Sequence, residues 1–172
     1  MSGVIVNKVA ESALQTIDLE AWIPTEEPVL FDLKDFLFMG LIVKEKEFRS
    51  ALQQTDTTVF KDKVVLVTCS ADAIIPMWAY MLVASLLQPV AKEVILASKE
   101  EWKKRKLLEA IAALDISGYK DQRVVIKGCG DELIPEAAYL EITSRLRPIV
   151  KSIMYGEPCS TVPIYKQPKP TV

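Results

Sequence analysis

Histidine is missing from this chain of 172 residues. Its absence excludes Ser-His-Asp and Cys-His nucleophile pairs, histidine general bases and histidine metal ligands. Any chemistry falls to cysteine, carboxylate, lysine, tyrosine or backbone groups. Cysteine is scarce as well, at three residues, and no two of them form a CxxC pair. In a chain that reads as cytoplasmic, so few cysteines are expected to be free thiols or ligands rather than a disulfide framework. An excess of positive charge is also lacking, since 21 Lys and Arg face 23 Asp and Glu for a net charge of −2. No broad cationic face is offered to nucleic acid or acidic lipid, so neither is expected as a partner. The densest basic run, Lys103-Lys104-Arg105-Lys106, follows Glu100-Glu101 on an expected helix and reads as a solvated face. The segment KGCGDE is neither GxGxxG nor a Walker loop, so no nucleotide is expected. The start MSGVIVNKVAES is short of apolar residues, and no signal peptide is expected there. Residues 73–91 carry no charge, yet they hold two prolines and read as a buried helix rather than a membrane span.

What is present is a repeat. KVVLVTCSADAIIPMWAYMLVASLLQPVAKEVI at 63–95 matches RVVIKGCGDELIPEAAYLEITSRLRPIVKSIM at 123–154. With one gap at Ala71, twelve positions are identical, among them Val64/Val124, Cys69/Cys129, Asp72/Asp131, Pro76/Pro135, Tyr80/Tyr139 and Pro89/Pro148. Chance would supply roughly two at ordinary residue frequencies. The alignment places two cysteines in equivalent positions.

Each copy opens on an apolar strand, Val64–Thr68 or Val124–Lys127, of the kind buried on both faces. A turn of small and acidic residues follows, then a helix over about 75–87 or 134–147 with proline near its start. Leu-x-Pro closes the helix, and a second strand, Val94–Ala97 or Ile153–Tyr155, completes a βαβ unit. Between the copies a helix over 99–114 begins with a Ser98/Glu101 capping box. These elements predict an α/β fold, a doubly wound and mostly parallel four-stranded sheet in the order 2-1-3-4. Strands one and three would then be neighbours across a two-fold axis, with Cys69 and Cys129 roughly 5 Å apart at backbone level. Such a reversal of winding is where ligands of open α/β sheets bind.

The expected organisation is a single domain: residues 1–62 a partly helical N-terminal arm packing on the core, 63–156 the duplicated core, and 157–172 an extended, proline-rich tail. In the arm, 33–38 and 44–54 read as helical, 41–43 is ambiguous, and Ile17–Trp22 reads as an extended edge segment. The first-copy helix is apolar nearly all round, so the arm or a second subunit must cover its outer side.

Cys159 follows the last strand closely, so Cys69, Cys129 and Cys159 all fall on one rim of the expected sheet. Each precedes a small residue, Ser70, Gly130 or Ser160. With Gly128, these let the backbone approach a bound atom and turn N–H groups meet an anion or cluster sulfide. Three thiolates with Asp72 or Asp131 suit zinc or an iron–sulfur cluster. Two other readings stay open. The thiols fill space in the core, or Cys69 and Cys129 form a nucleophile and resolving pair. Asp72 and Asp131 serve equally as helix N-caps or turn residues. Tyr80 and Tyr139 read as core aromatics. Lys127 would depress the pKa of Cys129 unless it is solvated.

FDLKDFLFMGLIVKEKEFR, VTCSADAIIPMWAYM, VIKGCGDELIPEAAY and KSIMYGEPCSTVPIYK resemble an uncharacterised bacterial family, domain of unknown function 2480, over most of the chain. The resemblance implies no catalytic residue; it implies a place near iron–sulfur cluster assembly, through the genes that such genes accompany. The expectation is a cytoplasmic metal- or iron–sulfur-binding accessory protein, homodimeric, with a protein partner in cluster assembly. A binding or scaffold module without chemistry is the remaining alternative.

Overall fold

A computed structural model describes residues 14–127, 130, 132–157 and 160–168. Its strands are β1 Leu14–Asp18, β2 Val29–Asp32, β3 Val64–Thr68, β4 Glu93–Leu96, β5 Arg123–Lys127, β6 Ser152–Glu157 and β7 Ser160–Lys166. Its α-helices are α1 Glu45–Gln54, α2 Met77–Leu87, α3 Lys99–Ala113 and α4 Glu136–Leu146. Two compact units divide the chain, Thr25–Trp102 and Met1–Pro24 with Lys103–Val172.

The unit Thr25–Trp102 is built on a parallel sheet in the order β2-β3-β4. Val64, Val65, Leu66 and Val67 of β3 are all buried, as a central strand covered on both faces requires. Val65 and Val67 meet Phe31, Phe48, Leu52 and the Ala79-Val83-Leu87 stripe of α2. That stripe follows the i, i+4, i+8 spacing of one helix face. Val64 and Leu66 turn the other way, onto Ile95 and Trp102. The expected capping box forms: Ser98 N–H donates to Glu101 Oε2 at 2.7 Å, and Glu101 N–H to Ser98 Oγ at 3.1 Å.

The other unit repeats this plan around β5, in the order β1-β5-β6-β7. β1, β5 and β6 run parallel, and β7 returns antiparallel to β6. Val124 and Ile126 pack with Ile17, Leu19, Leu107, Ile111 and the Ala138-Ile142-Leu146 stripe of α4.

The fold class is therefore α/β with parallel sheets, but the expected single sheet in the order 2-1-3-4 does not form. β3 and β5 are not neighbours. The second flank of each is taken by an N-terminal strand, β2 and β1 respectively. The N-terminal residues thus give one strand to each sheet instead of packing as an arm. The segment read as helical at 33–38 is a 3-10 turn, Leu33–Phe36, ending in an isolated Phe38–Ile42 bridge. The edge segment is β1 with a 3-10 turn, Leu19–Trp22, and the tail supplies β7.

The repeat also runs in a different register along the strands. The spacing that relates Pro76 to Pro135 also relates Asp62 to Asp121, both left-handed at φ 58. Their N–H groups donate to Val90 and Ile149 at 2.9 and 2.8 Å. It relates Val65, which pairs with Val94, to Val124, which pairs with Ile153. It likewise relates Asp56 to Asp115, whose carboxylates each accept a turn N–H at 2.9 Å. No gap is needed. Cys69 therefore corresponds to Gly128, and Cys129 to Ser70. The sequence alignment was one residue out along the strands, because runs of valine match equally well when slipped, while a one-residue slip exchanges the two faces.

Among the described residues, no helix is long and apolar enough to cross a membrane.

Candidate functional site

In the unit Thr25–Trp102, the C-terminal ends of β2 and β3 are joined by Asp32. Its Oδ1 accepts Lys34 N–H at 2.9 Å, capping the turn Leu33–Phe36, and Ser70 N–H at 3.0 Å from the loop after β3. Partial burial pushes the Asp32 carboxyl upward. The Ser70 hydroxyl, the Lys34 and Ser70 N–H groups and the Lys34 charge outweigh it and hold the pKa below the ordinary value. Cys69 is half-buried against the apolar core, and its thiol donates to the Ala71 carbonyl at 3.5 Å. Both features suit a packed thiol. Ser70 and Asp72 are exposed. Asp72 is not the helix N-cap; that place belongs to Pro76, as it belongs to Pro135 in the second copy.

The matching rim of the other unit carries more charge. Asp18 Oδ1 accepts Glu20 N–H at 3.1 Å, the equivalent of the Asp32 cap. Its other oxygen lies 3.5 Å from Lys127 Nζ at the end of β5. Glu157, at the end of β6, approaches the same ammonium to 3.7 Å. Glu157 first, then Asp18, and more weakly Glu20, raise the Lys127 pKa above its ordinary value against a small opposing desolvation. Glu20 Oε1 is buried without a hydrogen-bond partner. The Gly130 backbone lies against that carboxylate, since a Cβ there would stand 2.1 Å from either Glu20 oxygen. Gly156 has φ +114, and a Cβ on it would meet the Ser160 carbonyl at 2.7 Å, so the β6–β7 connection requires glycine. Lys103 reaches Glu132 in the loop before α4 at 3.0 Å.

Of the residues singled out from sequence, Gly128, Cys129, Asp131 and Cys159 lie outside the described residues. Cys69, Ser70 and Asp72 belong to one unit, Gly130 and Ser160 to the other. The pairing of β3 with β5 that was to bring Cys69 beside Cys129 is absent. Among the described residues, no three cysteine or carboxylate groups are grouped as a metal site. Sequence reading passed over Asp18, Glu20 and Asp32. The signal was there in the matching triplets Ile17-Asp18-Leu19 and Phe31-Asp32-Leu33.

These features define a duplicated α/β protein whose second sheet ends in a charged rim. Residues 3–167 match the family described as "Protein of unknown function (DUF2480)", and the chain belongs to that family. No curated protein and no solved structure matches it.

Proposed function

We propose that this protein is a metal-binding accessory protein whose site lies at the C-terminal rim of β1, β5 and β6. Cys129 and Cys159 would supply thiolates, and Asp18 or Glu20 a carboxylate. Cys129 follows Lys127 by two residues and Cys159 follows Glu157 by two, while Lys127 and Glu157 are themselves in ionic contact. The observation that carries the reading is Glu20. A buried carboxylate oxygen without a donor is costly unless a cation or proton meets it. Three carboxylates here face one ammonium, so the rim favours a further positive charge. The repeat adds a second support. In the ungapped sequence repeat Cys129 aligns with Ser70, whose N–H meets the Asp32 carboxylate, and Asp18 is the counterpart of Asp32. Thiolate with carboxylate suits zinc, or iron with sulfide. A cytoplasmic role beside iron–sulfur cluster assembly, with a protein partner there, belongs to the same proposal.

Metal and acid-labile sulfide per chain, measured after anaerobic purification without chelator, test it. Near-stoichiometric zinc, or iron with sulfide, is expected in the wild type and in Cys69→Ser, and is lost in Cys129→Ser and Cys159→Ser. A folded wild-type protein free of metal overturns it.

The homodimer is proposed through α2. Met77 and Met81 of α2 are 74 and 70% exposed, and Ile74 just ahead of the helix is 91% exposed, so this stripe beside and along the apolar helix is left uncovered by the chain.

A further inference from the structure

The opposite end of the β5-β6-β7 sheet carries a site of another kind. Arg123 begins β5 and pairs with Ser152 at the start of β6, which pairs with Lys166 at the end of β7. Beside this row opens a cleft of about 780 Å³, lined by Arg123, Lys151, Lys166, Ser152, Tyr165 and Gln167 among others. Among the described residues no acidic side chain lines it. Among the described residues none of its three cations is ion-paired, unlike Lys103, Arg105, Lys106 and Lys127 of the same unit. The floor is fixed by backbone bonds: Lys151 N–H donates to Gln122 at 2.8 Å and Gln167 N–H to Lys151 at 2.9 Å. Tyr165 is itself braced, with the Arg147 guanidinium 4.7 Å from its ring centre.

We infer that this cleft binds a small organic phosphate. Three uncompensated cations lining one cleft, in a chain of net charge −2, concentrate anions locally. One guanidinium and two ammonium groups on neighbouring strands match an anion with several oxygens. The volume falls within the roughly 300–1,000 Å³ of small-molecule sites and exceeds what inorganic phosphate fills. Tyr165 and Met154 add apolar surface for the organic part. Arg123 and Lys127 stand at opposite ends of β5, roughly 13 Å apart at about 3.3 Å per residue, so this site is separate from the rim of the proposed metal.

Isothermal titration of the full chain with ADP, pyrophosphate and adenosine tests the inference. ADP is expected to bind saturably at one per chain, pyrophosphate more weakly, adenosine not at all, with affinity falling as salt rises. Arg123→Gln, Lys151→Gln and Lys166→Gln together should weaken ADP roughly a thousandfold, on the basis of roughly tenfold per charge-assisted contact, the three factors multiplying. All three side chains are exposed, so the variant should fold as the wild type does, checked by its urea midpoint. Lys127→Gln should leave ADP binding unchanged. No saturable ADP binding at millimolar concentration, adenosine binding as tightly as ADP, or an unaffected triple variant overturns the inference.

Discussion

Asp18 and Asp32 hold the same place in the two units, and they differ in what else the carboxylate meets. Each caps a 3-10 turn through Oδ1. Asp32 uses the same oxygen to hold Ser70 N–H, so one side chain ties the end of β2 to the loop after β3. Asp18 instead turns its second oxygen to Lys127. Removing Asp32 frees two N–H groups at once. Asp32→Ala is expected to lower unfolding free energy by about 1–2 kcal/mol, the upper range for a lost cap, because a second bond goes with it. Asp32→Asn, which keeps an acceptor oxygen, should lose less than half of that. Urea denaturation of the two variants checks the ranking; equal losses would show that charge rather than the accepted bonds matters there.

The long helices and the two βαβ pairings, β3 with β4 and β5 with β6, were legible in the sequence, while the strands that flank β3 and β5 were not, and the reason lies in how far each element reaches along the chain. The spacing of Ala79, Val83 and Leu87 is a local pattern, and α2 forms where it predicts, with Pro76 at the N-cap. The box at Ser98 and Glu101 is local too. The partners of the flanking strands are not. Nothing in LQTID or VLFD tells which of two similar central strands each will flank, and their pairing with β5 and β3 spans long stretches of chain. The cysteine site suffered from that error directly, because its basis was adjacency of β3 and β5. The phosphate cleft was hidden for the same reason, since Arg123, Lys151 and Lys166 are scattered in sequence and gathered only by the sheet. One expectation from the helix pattern remains to be tested at this scale. Met81 is exposed on α2, so Met81→Glu should leave the unfolding free energy of the monomer itself unchanged within about 0.5 kcal/mol. If a second copy covers the stripe, sedimentation will show a wild-type dimer and a monomeric variant. A wild type that is monomeric at tens of micromolar removes the dimer.

At the scale of the whole molecule, the missing histidine sets how stability responds to pH. The described groups with lowered pKa are all carboxylates that accept hydrogen bonds. Asp32 is held as described above; Asp56 is held by the Thr58 hydroxyl and N–H, Glu101 by Ser98, and Asp115 by Ser117. Each keeps its charge in the folded chain at a pH where the unfolded chain has taken up the proton. Their contribution is therefore present above the ordinary carboxylate range and is lost as pH falls through the folded values. Lys127 works in the opposite direction. Its pKa is raised above 10.5 by Glu157 and Asp18, so its contribution is complete below that value and disappears as pH climbs past it. No side chain with an ordinary pKa near 6.5 lies between these limits. The urea midpoint should accordingly be flat from about pH 6 to 8, fall below about pH 5, and fall again above about pH 10. Lys127→Gln should reduce the alkaline fall and leave the acid fall intact. The same profile bears on the proposed metal. Thiolates must be deprotonated to bind it, so stability of the metal-loaded chain should gain a further acid-side loss that Cys129→Ser lacks. A slope between pH 6 and 8 present in the loaded wild type and absent from Cys129→Ser would then report metal release, because no histidine is there to produce it.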